Sequence, residues 1–97
     1  MLEKLEAIAH RFDEVGLQLT DPSVVADRNR FSKLSKEYKD LEKIVAEYHA
    51  YQTLLGNLES ARTVLETEKD EDFREMAKAE LDDLVPRKEA MEQNIRN

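Results

Sequence analysis

The sequence predicts an all-α fold: an elongated, antiparallel three-helix bundle with coiled-coil-like packing around one long central helix. Three observations lead there. The strong helix formers Ala, Leu, Glu, Lys, Arg and Gln dominate, and the 97 residues contain only two glycines and two prolines. Apolar residues recur at three- and four-residue steps rather than in the alternation of a strand. One stretch carries a strict seven-residue apolar series, the mark of a seam with left-handed supercoil.

The first helix is expected from about Glu3 to Leu19, because Leu2, Leu5, Ile8, Phe12, Val15 and Leu19 fall on one face. Thr20-Asp21-Pro22 stops it, since a residue before proline is biased away from helical dihedrals. Asp21 can cap a short new turn with Pro22 at its first position, where a missing N–H costs nothing. The long helix is expected from near Asp27 to about Thr67. Its series is Leu34, Leu41, Tyr48 and Leu55, flanked early by Phe31, Tyr38 and Val45 and later, on the other side, by Ile44, Tyr51, Leu58 and Leu65. The change of flank implies two successive partners. At about 1.5 Å per residue such a helix is roughly 60 Å long. Gly56 lies inside it, a place for a local bend.

Glu68 to Asp72 form the next break. Asp70 or Asp72 can cap the last helix, and Asp72 with Glu75 has capping-box spacing. That helix carries Phe73, Met76, Ala77, Leu81, Leu84, Met91 and Ile95. Pro86 lies in its middle and is expected to kink or interrupt it. The simplest packing folds the first helix back on the early half of the long one and the last helix on the late half. The whole of 1–97 is expected to be a single helical domain. The final helix ends still in pattern, so the chain is expected to continue in its natural form.

The net charge of −7 argues against a nucleic-acid clamp, which relies on excess Lys and Arg. The acidic excess is concentrated in residues 50–97, with twelve acids to seven bases, against ten to eight in 1–49. There is no cysteine, hence no disulfide framework and no thiolate metal site, which suits a reducing cytoplasm. No secretory leader is visible at Met1-Leu2-Glu3-Lys4, and no apolar run approaches the roughly 20 residues that span a bilayer.

No catalytic, cofactor-binding or metal-ligating set stands out, and no enzyme activity is expected of these residues. His10 and His49 lie on different helices without metal-motif spacing. Gly16 and Gly56 stand alone, so there is no phosphate loop, and the serines lack the signature of a positioned base. Tyr38, Tyr48 and Tyr51 lie on or beside the apolar stripe, which favours core packing over a stacking platform. One feature stands apart: six bases against three acids between Arg28 and Lys43. Arg28, Lys36, Lys39 and Lys43 project to one side, away from the stripe. Two readings stand. The strip is a solvated face laced with pairs such as Lys36–Asp40 and Lys43–Glu47, or it is a contact for RNA phosphates or an acidic protein.

The run Leu19-Thr20-Asp21-Pro22-Ser23-Val24-Val25-Ala26-Asp27 leads into Arg30-Phe31, Leu34-Ser35-Lys36-Glu37-Tyr38, Leu41, Ile44-Val45 and Tyr48. Together with Asp70-Glu71-Asp72-Phe73-Arg74-Glu75-Met76-Ala77 and Glu80-Leu81, it resembles the N-terminal domain of bacterial class-I peptide chain release factors. The likeness is greatest to the release factor 1 branch, which reads UAA and UAG. Many members carry proline where this chain has Glu71, a small departure; a proline near Pro86 also occurs in the family.

The resemblance implies a cytoplasmic role in translation termination and covers essentially the whole chain. A full-length factor reads the stop codon with a Pro-x-Thr-type tripeptide and promotes peptidyl-tRNA hydrolysis with Gly-Gly-Gln. Neither is present, so no codon-reading or catalytic residue carries over. The implied partners are the ribosome near its stalk base and the remainder of the factor chain, with no membrane and no small-molecule substrate. The seven-residue series alone also fits a free-standing coiled-coil adaptor or assembly protein. A helical-hairpin arm of an RNA-binding enzyme is a third reading, which the acidic charge disfavours.

Overall fold

The structure, a computed structural model, describes residues 2–96 and, among these, all side chains except those of Leu2 and Arg96. The expected place of Leu2 in the first apolar stripe therefore lies outside the described residues. The described residues form an all-α fold of helices α1 (Leu2–Gln18), α2 (Pro22–Val25), α3 (Arg28–Thr67) and α4 (Glu71–Arg96). Two compact units, residues 1–48 and 49–97, divide the chain, and α3 contributes to both.

Local chemistry sets the boundaries. Thr20 donates its hydroxyl to the carbonyl of Leu17 as α1 ends. Asp21 then caps α2 from an extended conformation, accepting from the Ser23 N–H at 2.9 Å and the Ser23 hydroxyl at 2.8 Å. These two bonds hold the Asp21 carboxyl below its usual range. Pro22 occupies the first helical position, and Asp27 caps α3 by accepting from the Arg30 N–H. Asp70 caps α4, accepting from the N–H groups of Asp72 and Phe73, so Asp72 is not the cap.

In the first unit α1 packs on the early part of α3. Leu5 and Val15 are buried, while Ile8, Phe12 and Leu19 are half-buried. From α3, Val45 and Tyr48 are buried and Leu34, Tyr38 and Leu41 half-buried. The Phe12 and Tyr38 rings stack with centroids 4.5 Å apart. Gly16 admits that ring: a Cβ there would lie 3.2 Å from Tyr38 Cε2. The short α2 contributes the buried Val24.

In the second unit α4 runs antiparallel to the later part of α3. Arg74 reaches the carbonyl of Leu65, and farther along the Tyr51 hydroxyl donates to Glu92 at 2.8 Å. That bond, with burial, pushes the Tyr51 phenol up. Leu54, Leu58 and Leu84 form the core, with Leu55, Leu81 and Met91 against it. Arg74 donates to the carbonyls of both Leu65 and Glu68, a cation on the unsatisfied C-terminal end of α3.

The two successive partners of the long helix are thus α1 and α4. Four expectations fail in detail. Phe31 and Ile44, placed in the stripe, are exposed. Phe73 and Met76, placed on the buried face of the last helix, are exposed as well. Leu54 and Ala61, which the seven-residue series passes over, are buried. Pro86 does not interrupt α4, which is continuous from Glu71 to Arg96. Proline leaves the carbonyl of Asp82 without its N–H partner. Both residues lie on the exposed face, where water can serve that carbonyl, while Leu84 and Met91 pack on either side of the break.

Gly56 is helical, has no positive φ, and a Cβ there meets nothing within 4 Å. Gly56→Ala should therefore raise stability by about 0.5–1 kcal/mol, by removing unfolded-state freedom without a clash. A thermal melt that shows no gain would point to strain at this position.

Candidate functional site

The basic strip belongs to the first unit and to one helix. At about 100° per residue, Arg28, Lys36, Lys39 and Lys43 fall within an arc of roughly 80°. That arc points away from Leu34, Tyr38, Leu41, Val45 and Tyr48, the side of α3 that packs. All four cations are exposed. The other residues of the arc up to position 50 are Ser32, Ala46 and Ala50, and the nearest carboxylates, Glu47 and Asp40, border it about 20° and 40° beyond Lys36. The strip is therefore a single-sign line of three lysines and an arginine, rigid at its base because the helix is pinned on its opposite side.

The expected pairs Lys36–Asp40 and Lys43–Glu47 do not close to 4 Å among the described residues; the ion pairs of the first unit there are His10–Glu14, Arg11–Glu14 and Arg11–Glu37. All four side chains are exposed. An exposed i,i+4 pair is worth a few tenths of a kcal/mol at most and does not repay holding a hydrated lysine still.

Glu37, between Lys36 and Lys39 in sequence, turns away from them. It accepts two bonds from Arg11 of α1, from Nε at 3.0 Å and Nη2 at 2.7 Å. The bidentate contact holds the Glu37 carboxyl below its ordinary range and raises Arg11. This pairing joins residues 26 positions apart, and sequence reading did not find it. It has a consequence for pH. Glu37 is held below its unfolded value, so the stability it adds is present above that value of 4.5 and is lost as the pH falls through the depressed folded one. Melting curves from about pH 6 to about pH 3 should show less acid sensitivity in Glu37→Gln than in the parent. Identical curves would mean that the Arg11 contact does not form in solution.

The other sequence candidates are placed as follows. His10 is exposed, with Nδ1 at 3.4 Å from Glu14, and His49 is exposed. Tyr48 and Tyr51 are buried and Tyr38 is stacked, so the tyrosines are packing residues. Among the described residues no group of three or more His, Cys, Asp or Glu is placed to hold a metal ion. No described helix is long and apolar enough to cross a membrane.

The family model described as the PCRF domain matches residues 8–97. The chain is 51% identical over 92 residues to peptide chain release factor 1 of Cytophaga hutchinsonii, covering 95% of this chain and 26% of that protein. It is 46% identical over 96 residues to the protein of that name from Amoebophilus asiaticus, covering 99% and 27%. Against that of Brevibacillus brevis it is 38% identical, again over 99% and 27%. The chain thus spans about a quarter of the length of these relatives. No solved structure matches it.

Proposed function

The chain belongs to the PCRF domain family, and we propose that it is the non-catalytic, ribosome-binding part of a peptide chain release factor that acts in translation termination in the cytoplasm. Its relatives carry the name peptide chain release factor 1 and are about four times as long. The sequence holds neither a Gly-Gly-Gln nor a Pro-x-Thr tripeptide. Peptidyl-tRNA hydrolysis and the reading of UAA and UAG therefore belong to the remainder of the factor. In this reading 1–97 is the factor's N-terminal helical domain.

The observation that carries the reading is the exposed cationic line Arg28, Lys36, Lys39, Lys43 on the outward side of α3. Four cations spaced along a helix suit a run of RNA phosphates, and in this reading the domain meets the ribosome near the base of its stalk. The coiled-coil adaptor is the weaker reading. Tyr48, Tyr51 and Leu58, side chains of the series that would pair two chains, are already buried within one. A release assay tests the division of labour. The 97-residue chain added to ribosomes stalled at a stop codon should liberate no peptide above background, at any concentration that saturates the full-length factor. Peptide release by these residues alone would refute the assignment.

A further inference from the structure

Two large apolar side chains of α4 stand outside the core. Phe73 is 55% exposed and Met76 66%. They form one wall of a groove between α3 and α4 within residues 49–97, and Val64 lies on the other side. Its floor is Ala61 and Ala77, both buried, whose single methyl groups leave the space above them unfilled. The antiparallel register puts Glu68 at the Phe73 end and Glu80 at the other, beside Ser60. From Phe73 to Glu80 the helix rises about 10 Å.

The surroundings are strongly acidic. Residues 66–83 hold nine carboxylates against three cations. Two of those cations are engaged: Arg74 lies on the carbonyls of Leu65 and Glu68, and Lys78 lies 3.6 Å from Glu75. Glu68 is fixed in place because its Oε1 accepts from the N–H groups of Lys69 and Asp70, each at 3.2 Å. An apolar floor between two carboxylates selects a ligand with apolar side chains between two cations.

We propose that this groove docks an amphipathic helix of a partner protein. Leucine-sized side chains sit over Ala61 and Ala77, and a lysine or arginine meets Glu68 at one end and Glu80 at the other. Seven residues of helix also rise about 10 Å, so the two cations of the partner stand at i and i+7. Nucleic acid is repelled by the same carboxylates, as is a second copy presenting this acidic face. The site is separate from the cationic face of α3 and goes beyond the ribosome contact proposed above.

The test is fluorescence anisotropy with the 97-residue chain. The probe is a labelled alanine-based helical peptide carrying two lysines seven positions apart with two leucines between them. Saturable binding is expected. The exposed-site variants Phe73→Ser/Met76→Ser and Glu80→Lys should each weaken it at least fivefold, and Asp13→Lys in the first unit less than twofold. A peptide with glutamates in place of the lysines should bind at least tenfold more weakly than the lysine probe. Equal weakening by Asp13→Lys and Glu80→Lys would reduce the effect to net charge and overturn the proposal. So would the absence of binding, or light scattering that shows a dimer of the chain which Met76→Ser abolishes.

Discussion

Replacing Leu58 by alanine is expected to cost about 2–5 kcal/mol, the largest single-residue loss in the second unit. Leu58 is 1% exposed and sits with Leu54 and Leu84, the other buried side chains of its hydrophobic cluster among the described residues. Truncation removes apolar contact and leaves a cavity. The neighbours nearest to it, Leu55, Leu81 and Met91, are already seated against the cluster. Domains of this size are stable by only about 5–15 kcal/mol in total. A loss of this magnitude lowers Tm by about 10–20 °C or more. Leu17, at 74% exposure, is the control: Leu17→Ala should stay within about 0.5 kcal/mol of the parent. Circular dichroism melts of the two variants decide the matter. If they lose stability equally, α4 does not pack on α3 as described.

Much of the fold is legible in the sequence because its determinants are local. The Asp21-Pro22 turn needs only a capping carboxylate and a proline at the next position, and both act over two or three residues. The stripe of α3 is legible up to Tyr48 because Leu34, Tyr38, Leu41, Val45 and Tyr48 keep alternating steps of four and three. After Tyr48 the seam takes two steps of three, to Tyr51 and Leu54, and then resumes the alternation through Leu58, Ala61 and Leu65. A strict seven-residue reading carries on to Leu55, one position off, which rotates the inferred seam by about 100°. That is why Leu54 and Ala61 are missed; Ile44 is wrongly placed inside because it lies seven residues before Tyr51, across the irregular step. The signal was present in the spacing of Tyr51, Leu54, Leu58, Ala61 and Leu65.

Other features follow from tertiary contact and leave no local trace. Pro86 has the same chemistry in any helix, but whether it breaks one depends on the packing of Leu84 and Met91 around it. Phe73 and Met76 share the helical spacing of Ala77 and Leu84, and only the position of α3 decides which of them it covers. The strip shows the same division. The spacing of Lys36, Lys39 and Lys43 places them on one side of α3 without any structure. The bidentate pairing of Glu37 with Arg11, by contrast, depends on another helix.

That strip carries the second large effect. Lys36→Glu/Lys39→Glu/Lys43→Glu in the full-length factor replaces three cations by three anions on a face bordered by Asp40 and Glu47. Each lysine bound to a phosphate contributes about one unit to the slope of log affinity against log salt. The triple variant should therefore lose about 2–3 units of slope and bind ribosomes at least tenfold more weakly at low salt. The three positions are exposed, so the helix itself should melt at close to the parent temperature. Ribosome affinity measured across a salt series, for parent and triple variant side by side, is the most direct test that α3 anchors the factor to RNA. A weakened affinity with a shallower slope is the result expected. An unchanged affinity at low salt, with the parent slope, would return the strip to a solvated face and contradict the account.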